Sequence, residues 1–175
     1  MGLTAETALW FLPAVIPMAI FVSWSDMKLM KITNRSLIVL FSIFVVLGPF
    51  AFGFPDYFWQ LLHGPIVLVI GMALWALRLM GGGDAKMYAA MSPFFVTADW
   101  FLILVVFTAA TFAGLITHSL FRFTPLHNLA PDWKSWTARN SNLRGGIFGL
   151  DLAFPKGLVL SMTLLFYLLV VAVYR

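Results

Sequence analysis

Five stretches of this chain, residues 7–25, 36–52, 58–80, 100–121 and 157–174, are long, apolar and free of Lys, Arg, Asp and Glu except at Arg78. Nothing else constrains the fold as much. About 20 consecutive apolar residues, in a usable range near 17–25, carry an α-helix across a bilayer core of ~30 Å. Backbone amides in hydrocarbon must also be satisfied within the chain. Charged residues make up only 10% of the sequence and hydrophobic ones 62%, whereas a soluble domain carries about 25% charged residues. The expectation is an all-α, polytopic membrane protein forming one domain over residues 1–175. No internal repeat or low-complexity tract interrupts it.

A sixth run, 85–98, reads "AKMYAAMSPFFVTA". As a helix it would rise only ~21 Å at 1.5 Å per residue, so it either crosses or dips in and returns. The charges decide between these. Lys28, Lys31 and Arg35 lie between the first and second runs, Arg78 and Lys86 flank the third connection, and Arg122, Lys134, Arg139, Arg144 and Lys156 lie between the fifth and sixth. If all six runs cross, ten of the eleven basic residues share one side and Arg175 alone lies opposite. The excess of Lys and Arg in cytoplasmic loops makes that side cytoplasmic, with both termini outside. About six transmembrane helices are therefore expected. The start "MGLTAETALWFL" has Glu6 instead of a basic segment, so the first run is expected to be a retained helix rather than a cleaved signal. The net charge of +4 is dispersed between apolar runs, which fits membrane orientation and gives no reason to expect a nucleic-acid partner.

The connection 122–156 is the one sizeable polar segment expected on the cytoplasmic side. Trp133, Trp136 and its arginines suit a connector lying on the headgroups; its length also suits a lid or substrate-docking loop.

Chemistry concentrates at "GGGDAKMY", residues 81–88. A carboxylate at the edge of hydrocarbon costs free energy unless something offsets it. In the six-crossing arrangement Asp84 opens the fourth run and Asp26 closes the first, both at cytoplasmic helix ends. Glu6, Asp56 and Asp99 face outward, and Asp132 and Asp151 lie in the long loop. Two carboxylates in one site cannot both ionise cheaply, so the pair holds one proton between them. The ionised partner can take a proton from water while the protonated one polarises a carbonyl, which is the division of labour that amide hydrolysis needs. Gly81 and Gly83 offer backbone angles closed to other residues and let an extended peptide approach closely. The structural alternatives are an Asp84 N-cap on the fourth helix and an Asp26 that caps or terminates the first helix and pairs with Lys28 or Lys31.

Those motifs carry a resemblance. The Gly-x-Gly-Asp string after the third hydrophobic segment resembles that of the type IV prepilin peptidases and archaeal preflagellin peptidases. In these, a second aspartate ends the first helix and is followed by a basic stretch and an Ile-Pro-Asn element. Here Asp26 is followed by "MKLMK" and Ile32-Thr33-Asn34, with threonine in the place of proline. Phe154 to Met162, "FPKGLVLSM", is similar to the Pro-x-Gly start of that family's last helix. The resemblance implies a membrane protein of the GxGD aspartic protease fold, with Asp26 and Asp84 as catalytic aspartates and no metal or other cofactor. It implies a prepilin substrate, cut at the cytoplasmic face of the inner membrane ahead of its hydrophobic helix. Neither cysteine nor the extra N-terminal domain of the bifunctional members is present, so the chain looks like the short form serving Flp (tight-adherence) pili, without methyl transfer. The competing class is a non-catalytic membrane component, such as a small transporter or a pilus or secretion assembly subunit.

Asn34 matches the family motif, with a helix N-cap as its alternative. Lys86, two residues after Asp84, is a candidate to tune an aspartate or hold substrate, or else to snorkel to the interface. His63, His118 and His127 show no ligand spacing and read as packing or interfacial residues. The fourth helix and the 122–156 loop are the segments expected to move when substrate binds.

Overall fold

The computed structural model describes residues 2–137 and 154–175, and among them all regular structure is helical. Seven α-helices follow in order: α1 (Ala5–Leu29), α2 (Asn34–Ala51), α3 (Phe54–Ala76), α4 (Gly82–Met91), α5 (Trp100–Phe123), α6 (Lys134–Thr137) and α7 (Lys156–Tyr174). Helices α1, α2, α3 and α7, and α5 with the turn before it, are long and apolar enough to span a bilayer. The protein is an all-α polytopic membrane protein.

Local chemistry explains the helix limits. Thr4 and Thr33 cap α1 and α2 by accepting the N–H groups of Thr7 and Ser36, each at 3.2 Å, which satisfies amides that lack intrahelical partners. Asn34 is thus the first residue of α2, and the cap considered for it belongs to Thr33. Helix α1 runs four residues past the apolar stretch that announced it and stops at Met30, which is left-handed at φ 52°. Helix α3 stops at Ala76, short of the end of its run, and Arg78 turns the chain at φ 60°.

Helices α1 and α7 pair antiparallel through the centre. Leu3 meets Arg175 at one end and Asp26 meets Gly157 at the other, with Ser23 and Ser161 hydroxyls 2.8 Å apart between them. A small polar bridge of this kind suits two closely packed helices in lipid. Phe11 of α1 stacks on Phe44 of α2 at 5.6 Å, and Phe94 packs edge-on against both, at 5.0 and 5.2 Å. Helices α3 and α5 flank this core and turn mostly bare apolar side chains outward, such as Val69 and Ile116.

The short fourth segment passes from one end of the bundle to the other. Asp84, at its start, lies against the first residue of α7, and Asp99, at its end, lies against Arg175 just past the last. Ten residues of α4 rise about 15 Å. The rest of the distance is covered by looser backbone: two 3₁₀ turns joined by extended Phe95 and Val96. Irregular backbone at this depth survives only when enclosed by protein, and Pro93, Phe94 and Val96 are buried.

Asp99 anchors that far end. Its carboxylate accepts the Leu3 N–H at 2.8 Å, the Tyr167 hydroxyl at 2.9 Å and both arms of Arg175, at 2.8 and 3.0 Å. The sequence placed Asp99 and Arg175 on one side without pairing them. Of the 122–156 connection, the described part forms a 3₁₀ turn at Pro125–Leu129 and α6, which packs on α1. His118 reaches the Ser135 carbonyl at 3.1 Å. Arg139, Arg144 and Asp151, and the "NSNLRGG" turn, lie outside the described residues.

Candidate active site

Asp26 sits in the last turn of α1, 5% exposed. Its Oδ2 accepts the Gly157 N–H at 2.7 Å, with the Leu158 N–H as a second donor. Helix α7 begins behind Pro155 with no side chain of its own capping it. Asp26 therefore caps α7 from another helix, satisfying amides that lack partners within it. Gly157 is required by closeness: a Cβ there would lie 3.0 Å from the Asp26 carboxyl carbon and 2.9 Å from Ile32 Cγ1. Neither Lys28 nor Lys31 takes the role considered for it, and Lys28 instead lies over the Trp24 ring, 4.9 Å from its centre.

Asp84 is the third residue of α4. Gly81 is the N-cap and Asp84 makes no capping bond, so the cap reading of Asp84 is not what the helix uses. Its Oδ2 lies 3.3 Å from the Lys156 ammonium, with the Asp84 side chain 15% and that of Lys156 61% exposed. Lys156 and Gly157 are consecutive, so the two aspartates meet across the first turn of α7. They are near enough for the charge on Asp84 to act on Asp26.

Gly81 contributes its small size rather than an unusual angle. Gly81 is in ordinary extended conformation, φ −71° and ψ 142°. A Cβ on Gly81 would come within 3.0 Å of Asp84 Oδ2, and one on Gly83 would meet Ile32 at 4.0 Å. The conformational freedom expected from the sequence is not used.

Asn34 and Lys86 also take an unexpected place. Lys86 Nζ donates to Asn34 Oδ1 at 3.1 Å, and both line an open groove of about 800 Å³ with Leu37, Phe41, Gly64 and Met72. Lys86 follows Asp84 by two residues, so it points about 200° away around the helix. Lys156, far away in sequence, is the lysine that reaches the carboxylate. Neither it nor Gly157 stands out in the sequence by itself; the Pro-x-Gly string that holds them is the available signal. Among the described residues no three His, Asp or Glu side chains gather as a metal site.

A model of the type IV leader peptidase family matches residues 14–118. The chain belongs to that family. The matched region contains both aspartates and the glycines before Asp84, and ends ahead of Lys156 and Gly157. No curated protein and no solved structure matches the chain. Membership supports a leader peptidase type of activity, carried by a membrane-embedded helical bundle.

Proposed function

We propose that the protein is a membrane aspartic endopeptidase that removes the leader peptide of type IV or Flp-type prepilins, with Asp26 and Asp84 as its acid–base pair. The observation that carries this reading is the convergence of the two carboxylates on Lys156 and Gly157. Asp84, beside an ammonium and partly open to water, is the ionised member. Asp26 has Oδ2 occupied by the Gly157 N–H, so the shared proton sits on Oδ1. Asp84 takes a proton from water as the water oxygen bonds to the scissile carbonyl carbon, and Asp26 gives its proton to the carbonyl oxygen. In the second step Asp84 passes its proton to the amide nitrogen, the C–N bond breaks, and Asp26 recovers a proton from the gem-diol. The pair returns to its starting state with one water consumed.

The whole chain acts as one transmembrane peptidase domain in the inner membrane, with the site at the cytoplasmic end and both termini outside. Lys28, Lys31, Arg35, Arg78, Lys86, Arg122 and Lys156, at alternate helix ends, support that orientation. Gly81 and Gly83 leave room for the peptide beside Asp84, and Asn34 and Lys86 support the motif by tying the start of α2 to α4. The 122–156 connection is a cytoplasmic loop.

One observation favours the non-catalytic reading: the Asp26 bond to Gly157 is also a structural cap. Co-expression with a Flp-type pilin precursor separates the two. Asp84→Asn is expected to leave the precursor uncut at normal membrane levels of the protein, and processing at the wild-type rate would reject the assignment.

A further inference from the structure

Two apolar hollows flank α4, and only one is in register with the aspartates. The groove holding Asn34 and Lys86 uses Gly82, Ala85, Lys86 and Ala89 of α4, the face turned away from Asp84. The other hollow, about 740 Å³, is lined on α4 by Tyr88 and Met91 and on α7 by Leu160 and Thr163. Asp84, Tyr88 and Met91 are spaced four and three residues apart, and so are Lys156, Leu160 and Thr163. Such spacings keep side chains on one helix face. Two stripes thus start at the Asp84–Lys156 pair and descend about 10 Å into the membrane layer as the floor of a cleft. Its walls are α3, with Val67 and His63, and α5, with Ile103 and Leu104. Helix α3 packs along α4, and α5 packs along α7, without an extended contact between α3 and α5. The cleft is therefore open sideways.

The lining suits an apolar occupant. The Ser92 and Thr163 hydroxyls are bonded to their own helices, at 3.0 and 2.8 Å.

We propose that this α3–α5 cleft seats the apolar transmembrane segment of the substrate, entering sideways from the bilayer, so that the peptide bond just ahead of it lies at Asp26 and Asp84. The proposal rests on the peptidase reading above. Continuity of the two helix stripes with the carboxylate pair selects the cleft over the groove, because a segment in the groove would have α4 between it and Asp84. Tyr88, at the head of the cleft and one turn from Asp84, is placed to position the chain where the apolar segment ends.

The test places a photoreactive benzophenone side chain at Val67 or Leu104 in the full-length chain. Asp84→Asn keeps the substrate intact, and the partner is a co-expressed Flp-type pilin precursor. Adducts to the apolar segment of the precursor are expected from both positions and not from Ile38 or Met72 in the groove. Adducts from Ile38 or Met72 alone, or adducts only to lipid at Val67 and Leu104, overturn the proposal. In the otherwise unaltered chain, Leu104→Trp should reduce kcat/KM for processing about tenfold, through KM, while Ile38→Trp leaves it unchanged; the reverse pattern overturns the cleft. Normal cutting with crosslinks in the wrong place refutes the cleft and leaves the peptidase standing, whereas failure of the unaltered chain to cut the precursor refutes both.

Discussion

Asp26→Asn separates the proposed chemistry from the architecture, because Asp26 is assigned to both. Asp26 is buried, and its Oδ2 holds the first amides of α7. An asparagine carbonyl can accept the same bonds, and Asn and Asp are nearly equal as helix caps. With the shared proton on Asp26, as proposed, both side chains are neutral, so the exchange neither adds nor removes a buried charge. Stability should therefore change by under about 1 kcal/mol. Asp26→Ala removes the acceptor and leaves buried N–H groups unpaired, at about 1–3 kcal/mol. An amide cannot shuttle the shared proton, so processing by Asp26→Asn should fall at least about a hundredfold, the lower range of a general acid–base contribution. The assay pairs precursor cleavage in native membranes with thermal unfolding of the detergent-purified protein. Cleavage by Asp26→Asn within about fivefold of wild type would refute the proton role, since a hundredfold loss corresponds to about 2.7 kcal/mol of barrier. Unfolding alongside Asp26→Ala would refute the capping argument.

Three further outcomes follow from the geometry. Gly157→Ala forces a methyl to within 3.0 Å of Asp26, so it should cost about 1–3 kcal/mol in unfolding and impair cleavage, while Leu158→Ala on the same turn leaves cleavage near normal. Lys156→Gln removes an ion pair whose ammonium is exposed and solvated while Asp84 is only partly so; with one partner in water the pair is worth about 1 kcal/mol, so the unfolding temperature should barely move, and a large drop would show that the pair holds the fold. Arg175→Ala deprives the buried Asp99 of its cation and should destabilise by roughly 1–3 kcal/mol. Since that cluster lies at the far end of α7, the cleavage rate per folded molecule should stay within about twofold of wild type.

The helical class and the general place of every long span were legible because the apolar runs are long and the lysines and arginines fall between alternate pairs of them. The helix-end positions of Asp26 and Asp84 followed from the same count. Local spacing said less about what touches them. Lys86 is close to Asp84 in sequence but on the wrong helix face, whereas Lys156 arrives only because α7 packs beside α1 and α4. Thr33 rather than Asn34 caps α2, a one-residue difference that composition does not resolve. The Asp99–Arg175 bond joins residues 76 positions apart. No short-range pattern announces such a pairing; the crossing of segment four by helix and then extended backbone is what brings it about.

The most direct test of the central claim uses the absence of cysteine from the sequence. The double variant Asp26→Cys, Asp84→Cys, treated in membranes with a short bifunctional methanethiosulfonate, reports whether the two positions share one place. The account predicts an intramolecular link between residues 26 and 84, seen by mass spectrometry and lost when either cysteine is omitted. Modification of each cysteine separately, with no link formed, would contradict it.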